Sequence, residues 1–239
     1  MSLQDTRIVI LGGTSGLGFA TAEAAAHEGA SIAIASSSRE RVNRAVAALP
    51  AGTEGFVVDV SREDDIARFF TTVGAFDHLI FTAGESLTLS PLRTMRLETA
   101  REAFTRRYWG ALTAAKYGRD QIRRGGSIVL TTGAAKDRPH AGWTVAASIC
   151  GAIDALTRAL AIELAPIRVN AVSPGVVRTA LWDNMADSDR EALYRQVGDA
   201  LPVGRVGEAS DVAEAYLYLM REGFSTGQVI TVDGGTVLV

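Results

Sequence analysis

One stretch of the sequence decides the fold: Ile8-Val9-Ile10-Leu11-Gly12-Gly13-Thr14-Ser15-Gly16-Leu17-Gly18. Its four apolar residues predict a buried strand, and the glycine-rich turn leads directly into an Ala-rich helix over residues 19–28. At such a junction Gly12 permits a tight turn, Gly16 lets the backbone approach a pyrophosphate, and Gly18 lets the helix pack closely on the strand. The helix N-terminus presents N–H groups and a positive dipole end to phosphates. We therefore predict a dinucleotide site whose phosphate-binding residues are Gly12, Thr14, Ser15, Gly16, Leu17 and Gly18.

The rest of the chain repeats this alternation of strand and helix. Short β-branched runs predict strands at 32–35, 56–58, 78–81, 127–130, 167–172 and 228–232, and Ala-rich stretches predict helices at 39–49, 63–73, 98–117 and 145–165. Nearly continuous apolar strands that alternate with helices are typical of a parallel sheet covered on both faces. We therefore predict an α/β fold, a single doubly wound Rossmann domain over residues 1–239 with a seven-stranded parallel sheet flanked by helices. Residues 173–205, at the carboxyl end of the sixth strand, are expected to form a substrate lid.

The composition excludes several classes of protein. Of the 239 residues, 47% are hydrophobic and 21% charged, which is enough apolar surface for an ordered core. The 24 Lys and Arg against 27 Asp and Glu give no overall attraction for nucleic acid or an anionic membrane. No uninterrupted apolar run approaches the roughly 18 residues of a membrane span. Because Cys150 is the single cysteine, a reducing, cytoplasmic location is expected.

The end of the second strand distinguishes between two dinucleotides. It reads Ala35-Ser36-Ser37-Ser38-Arg39, with no acidic residue before Glu40. A site for NAD places a carboxylate here to bind the ribose hydroxyls, whereas hydroxyl groups and a guanidinium suit a 2′-phosphate. Serines in a loop and an arginine at a helix start are individually common. Together at this position they predict NADP(H), bound through Ser36, Ser37 and Arg39.

From the first strand to the last, the sequence resembles the classical short-chain dehydrogenase/reductase family. The family's Thr-Gly-x-x-x-Gly-x-Gly turn is present with Leu11 in place of the threonine, and Thr82-Ala83-Gly84 resembles its Asn-Asn-Ala-Gly element without the asparagines. The pair Asp59-Val60 matches the residues that hold adenine, and Pro174-Gly175-Val176-Val177-Arg178-Thr179 matches the segment that holds the nicotinamide amide. The resemblance implies a small-molecule substrate, a homodimer or homotetramer, and further cofactor contacts from Asp59, Val60, Ala83, Gly84, Pro174, Gly175, Val177 and Thr179.

The family's chemistry depends on an Asn, Ser, Tyr and Lys tetrad. Transferred to this chain by resemblance, the serine falls on Thr132, and the asparagine falls on Arg107, three residues before Gly110. The tyrosine, 13 positions after the serine, falls on Val145, and the lysine, four further on, on Ile149. Neither side chain can transfer a proton or stabilise an oxyanion. We therefore expect that the family's usual proton transfer is absent.

Two replacements for that step are open: a substrate that needs no proton, such as an iminium, or another proton donor. The candidate catalytic residues are Thr132, Arg107, His140 and Trp143. His140 has a suitable ordinary pKa but also fits a surface loop, and Trp143 fits either a stacking surface or an aromatic plug. Arg107 fits an anion clamp or a structural ion pair. Thr132 fits a substrate contact or a hydroxyl at a strand end.

Three functions remain open from the sequence. The first is an NADP(H)-dependent oxidoreductase with a non-standard active site. The second is a catalytically impaired NADP(H)-binding protein that acts as a sensor or partner subunit. The third is an isomerase or cyclase that uses the cofactor structurally. The matching nicotinamide segment favours the first, because a protein that binds only adenine has no need of it.

Overall fold

The computed structural model describes residues 2–84 and 89–239. In this part of the chain the strands are β1 Arg7–Leu11, β2 Ser31–Ser36, β3 Glu54–Val57, β4 Phe76–Phe81, β5 Ile122–Thr131, β6 Arg168–Pro174, β7 Val177–Arg178, β8 Gly207–Glu208 and β9 Val229–Val232. The helices are α1 Gly16–His27, α2 Arg39–Ala48, α3 Glu63–Thr72, α4 Leu97–Phe104, α5 Gly110–Gly118, α6 Thr144–Glu163, α7 Asp187–Ala200 and α8 Ala209–Arg221.

Seven of these strands form one parallel sheet in the order β3-β2-β1-β4-β5-β6-β9, while β7 and β8 pair separately. The chain therefore winds outward from β1 in both directions. The strand order reverses between β1 and β4, which is where an open α/β sheet leaves a crevice at its carboxyl edge. The predicted seven-stranded, doubly wound Rossmann fold is confirmed.

Alternate residues of the central strands supply the two halves of the core. On β1, Ile8 and Ile10 point to the face covered by α1, α2 and α8, while Val9 and Leu11 point to the face covered by α3, α5 and α6. All four are fully buried. Both faces are apolar because helices cover both, as is expected of a parallel sheet.

The helix predicted at 98–117 is present, but it contains a change of helix type in its middle. Between α4 and α5 lies a five-residue π-helical turn, Thr105–Trp109. A π-helical turn inserts an extra residue into a helix and is frequent at functional sites. Here it carries Arg106 and Arg107 towards the carboxyl edge of the sheet.

By length and composition alone, α6 is apolar enough to cross a membrane, although Asp154 and Arg158 interrupt its apolar run. Its residues Ile149, Ile153 and Leu156 are buried in the core on the α6 face of the sheet. A core helix of this kind passes the same test as a membrane span. No second helix among the described residues passes it.

Candidate active site

The glycine turn between β1 and α1 packs against the end of β4. Gly12 has a φ of +96°, and a Cβ on it would lie 2.5 Å from the backbone nitrogen of Ala83. A Cβ on Gly18 would lie 2.4 Å from the carbonyl oxygen of Gly12. The tight turn and the close helix–strand contact expected of these glycines are both present.

The N-terminus of α1 is suited to an anion. Its first turn has no acidic residue, and the hydroxyl of the N-cap residue Ser15 makes no capping hydrogen bond to a described group. Gly16 has a φ of +50° and faces Thr179, whose Cβ would lie 3.3 Å from a Cβ on Gly16. The glycine turn and the segment after β7 thus meet at this helix end. The residues present fit the pyrophosphate of a dinucleotide.

Serines and arginines stand beside this turn, at the end of β2. Ser38 caps α2 by accepting a hydrogen bond from the backbone nitrogen of Arg41, so its hydroxyl is occupied. The Arg41 guanidinium donates to the Ser37 hydroxyl at 3.4 Å. Sequence reasoning named Arg39 and missed Arg41. Arg41 could have been found from its four-residue spacing from Ser37, since the turn of a helix brings side chains at this spacing together.

Asp59, after β3, is held by its neighbour Ser61. The Ser61 backbone nitrogen and hydroxyl donate to Asp59 Oδ1 at 2.9 and 2.7 Å. Burial opposes ionisation of Asp59, but these hydrogen bonds and the Arg106 guanidinium outweigh it, so that its pKa lies below the usual value. The carboxylate is therefore ionised and fixed in orientation.

A cavity of about 820 Å³ opens at the carboxyl edge of the sheet. Its floor is formed by residues 81–83, 131–135 and 174–176, which lie at or just after the carboxyl ends of β4, β5 and β6. One wall comes from α4 and the π-helical turn, a second from α6, and a third from Leu181, Trp182, Leu193 and Val197. Among the described residues, those of the glycine turn and the end of β2 lie outside the lining. The cavity is therefore the part of the crevice nearest the predicted nicotinamide segment.

The two threonines at the carboxyl end of β5 differ in what their side chains contact. The Thr131 hydroxyl lies 2.6 Å from the buried Tyr216 hydroxyl and donates to the carbonyl of Phe81. The Thr132 hydroxyl donates to the backbone carbonyl of Cys150 at 2.9 Å, and the residue is 8% exposed. Both hydroxyls are thus engaged by the protein itself.

At the four positions where α6 reaches the cavity, which are Val145, Ala146, Ile149 and Cys150, the Cys150 thiol is the one ionisable side chain. Ile149 is 5% exposed and belongs to the core, with Val145 packed against it. Burial raises the pKa of the Cys150 thiol, and the Arg107 guanidinium only partly opposes this effect. The wall is therefore uncharged at neutral pH.

Arg107 stands on the opposite wall, above the end of β4. A Cβ on Gly84 would lie 2.6 Å from Arg107 Cζ, so the guanidinium lies directly over this glycine. The backbone at Gly84 leaves the space that the guanidinium fills. Both residues were predicted as site residues from different motifs, and the fold brings them together.

An aromatic group lines the far side of the cavity. The His140 and Trp143 rings meet edge to face with centroids 5.3 Å apart, and Trp143 lies 6.5 Å from Trp182. The Trp182 indole donates to the carbonyl of Val177 at 3.1 Å. Trp143 thus bridges the loop before α6 and the segment after β7.

A buried ion pair behind the α6 wall was missed. Lys136 Nζ lies 3.4 Å from Asp154 Oδ2 and also contacts Asp137. Burial opposes the charge on Lys136, but the hydrogen bond to Asp137 and the Asp154 carboxylate raise its pKa above the usual value. From the sequence, Lys136 and Asp137 looked like a solvated run, because nothing in it shows that Asp154 lies nearby. No group of three metal-ligating side chains occurs among the described residues.

Comparison with known proteins gives consistent matches over the whole chain. A family model described as Enoyl-(Acyl carrier protein) reductase matches residues 12–237. The chain is 36% identical to Short-chain dehydrogenase/reductase ATR9 of Stachybotrys chlorohalonatus, over 99% of each protein.

Two solved structures are also similar. A small-chain dehydrogenase in complex with NADPH is 39% identical, with a TM-score of 0.84 over 99% of this chain and 100% of that one. The MalC Reductase/Diels-Alderase of Malbranchea aurantiaca is 29% identical, with a TM-score of 0.92 over 99% and 98% of the two chains.

Proposed function

Because the chain belongs to the short-chain dehydrogenase/reductase family, we propose that it is an NADP(H)-dependent oxidoreductase that reduces a small organic substrate without the family's tyrosine acid. One observation carries the proposal: the α6 wall of the cavity is uncharged, while Pro174 and Gly175 border the same cavity. Such a site can orient cofactor and substrate, but the one acidic proton on its α6 wall is that of the Cys150 thiol, whose raised pKa makes it a weak acid.

The choice of NADP(H) rests on the end of β2. Ser37 and Arg41 are joined by a hydrogen bond there, Arg39 begins α2, and no carboxylate stands between the end of β2 and Glu40. Guanidinium groups bind a phosphate through short, charge-assisted hydrogen bonds, whereas NAD(H) offers no phosphate at this position. The similar dehydrogenase described with NADPH supports this choice.

The substrate we propose is a hydride acceptor that is already cationic, such as an iminium. NADPH held at this site would supply a hydride to the C=N carbon, and the π electron pair would move onto nitrogen. A neutral amine results and no proton is consumed. Trp143 offers an aromatic face to such a cation, and the α6 wall adds no positive charge to that of the arginines on the other walls.

The remaining candidate residues act on binding and orientation. Arg107 binds an anionic group of the substrate or opposes charge that develops near Gly84. Trp143 and His140 shape the side of the cavity away from the sheet. Thr132 holds the end of β5 against α6 through its bond to the Cys150 carbonyl. We also propose that residues 173–205 form a lid, because Trp182, Leu193 and Val197 close the cavity.

Thermal unfolding with each nucleotide tests the cofactor. At 100 times Kd, a bound ligand adds about 2.7 kcal/mol to the free energy of unfolding. We expect a clear rise in Tm with NADPH and a smaller one with NADH at the same concentration. No shift with either would remove the nucleotide site.

Single-turnover absorbance of the reduced nicotinamide tests the reaction. We expect oxidation of NADPH with cyclic iminium ions and little with matched ketones, which require a proton. Oxidation of NADPH by ketones alone would contradict the choice of substrate. NADPH binding without oxidation by any acceptor would favour a sensor or partner subunit.

A cyclase is a second candidate, favoured by one relative. The protein described as MalC Reductase/Diels-Alderase is similar over nearly the whole chain, and an apolar cavity suits a reaction that moves no proton. Conversion of a substrate with NADP⁺ bound, without a change in nicotinamide absorbance, would identify this activity.

A further inference from the structure

We infer that Gly133, Ala146 and Cys150 bound the reacting end of the cavity, each one residue after the positions that family spacing assigned to Thr132, Val145 and Ile149. The inference rests on the proposed function, because the reacting end is defined by a nicotinamide lying beside Pro174. It changes which residues determine the substrate.

The end of β5 supports this shift by one residue. The Thr132 side chain points at the backbone of α6, where its hydroxyl donates to the Cys150 carbonyl. Gly133 faces the cavity instead. A Cβ on Gly133 would lie 3.1 Å from Cys150 Sγ and 3.8 Å from the carbonyl oxygen of Pro174. Any side chain at 133 would therefore enter the gap between α6 and the nicotinamide segment.

The faces of α6 support the same shift. Ile149 is buried in the core with Val145 packed against it, so much of this pair is directed at the sheet. Ala146 and Cys150 have the same four-residue spacing and lie about 100° further round the helix. Val145 and Ile149 also reach the cavity, but Ala146 and Cys150 line it without packing in the core, and the Cys150 thiol contacts the site at Gly133. The cavity-facing pair is therefore Ala146 and Cys150.

The spacings of 13 and four residues are preserved, because all three positions move together. A glycine, a methyl group and a thiol then occupy the places of a hydroxyl, a phenol and an ammonium. These small groups leave room beside Pro174 that a tyrosine and a lysine would fill. The site therefore has room for a hydride-accepting carbon that lies within a bulky, fused ring system. At this end of the cavity, the absence of large side chains determines which substrates fit.

Labelling of Cys150, the single cysteine, tests the placement. The probe is methyl methanethiosulfonate, with intact mass as the readout. With NADPH at 100 times Kd only about 1% of sites are free, so we expect labelling to slow by up to about 100-fold. The matched control is Ile149→Cys with Cys150→Ala, whose thiol should react more slowly and with less dependence on NADPH. The reverse pattern would overturn the inference.

A triple and a double substitution provide a second readout. Gly133→Ser with Ala146→Tyr and Cys150→Lys should gain ketone reduction of about 10²–10⁴-fold over the unmodified protein, the usual contribution of a positioned acid. Val145→Tyr with Ile149→Lys should gain none and should lower Tm, because it buries an ammonium in the core. Ketone reduction by the second set alone would contradict the inference.

The proposed function and the placement of Gly133, Ala146 and Cys150 are disproved by different results. If the unmodified protein shows no rise in Tm with NADPH, the proposed function is wrong and the inference falls with it. If Tm rises but Cys150 labelling is unaffected by NADPH, the cofactor site stands and the placement of Gly133, Ala146 and Cys150 is wrong.

Discussion

The Thr132 hydroxyl and the backbone carbonyl of Cys150 are joined by a hydrogen bond of 2.9 Å that ties the end of β5 to the second turn of α6. Spacing predicts that Thr132 faces the substrate. This bond instead directs the hydroxyl, the only polar group of its side chain, into the protein. The bond sets how α6 lies on the sheet at the point where its side chains reach the cavity.

Thr132→Val should therefore act on stability more than on turnover. It removes the hydroxyl at nearly constant volume, and with it the hydrogen bond that the Cys150 carbonyl accepts in addition to its bond within α6, so we expect a loss of about 0.5–1.5 kcal/mol in the free energy of unfolding. Chemical denaturation measures this loss, and Thr132→Ser should restore most of it. A large fall in kcat with unchanged stability would show that the hydroxyl serves the substrate instead.

Gly12→Ala should abolish the nucleotide site. Gly12 has a φ of +96°, and its Cβ would lie 2.5 Å from the Ala83 nitrogen, so the turn and the end of β4 must separate. Gly52→Ala is a matched control, because Gly52 has a φ of +94° and nothing within 4 Å of its Cβ position. Both substitutions incur backbone strain of about 1–3 kcal/mol. Only Gly12→Ala should also lose the NADPH-induced rise in Tm; loss in both would point to strain alone.

The arginines that we propose to bind the 2′-phosphate can be distinguished by substitution along α2. Arg41→Ala should weaken NADPH binding by about 10-fold or more, since a hydrogen bond to a charged group contributes about 1.5–3 kcal/mol. NADH binding should change little, because it has no 2′-phosphate. Arg44→Ala is the control, as Arg44 pairs with Glu40 at 2.8 Å. Equal losses for both nucleotides, measured by titration, would remove Arg41 from this role.

The fold could be predicted well from the sequence, because the spacing of hydrophobic residues and the positions of glycines determine strands, helices and turns locally. The apolar strands and the turn at Gly12 were sufficient to predict a parallel, doubly wound sheet and its crevice, and Gly84, Pro174 and Thr179 all lie in that crevice region. Local signals do not report how a helix is rotated about its axis. Counting along the chain therefore pointed to Val145 and Ile149, while contacts with the core decide which side of α6 faces the cavity.

Contacts between distant segments were beyond local reasoning for the same reason. The guanidinium of Arg107 lies over Gly84 because a π-helical turn, invisible in the apolar pattern of residues 98–117, carries it there. The pairing of Lys136 with Asp154 likewise depends on how α6 packs. Tertiary packing determines these contacts, and no short motif encodes them.

Stability should fall in mild acid because of His78. Its imidazole is buried, with Nδ1 2.9 Å from the Ser127 hydroxyl, and burial together with the Arg168 charge lowers its pKa to about 4. The unfolded chain binds a proton near pH 6.5 and the folded protein only near 4, so stability is full above 6.5 and is lost as pH falls towards 4. The loss is on the order of 3 kcal/mol. His78→Asn should flatten this slope in denaturation at several pH values, and an unchanged slope would assign it to other groups.

Arg107→Ala should raise KM for a substrate that carries an anionic group. The guanidinium lies over Gly84 at the cavity wall, and a charge-assisted bond of about 1.5–3 kcal/mol corresponds to roughly 10- to 100-fold in KM. Arg107→Lys should recover little, because a point charge does not reproduce the planar fork. Arg101→Ala, on the exposed side of α4, is the control and should leave KM and Tm unchanged. Steady-state kinetics with neutral and anionic analogues measure the effect; equal losses for both would make Arg107 a structural residue of the β4 end.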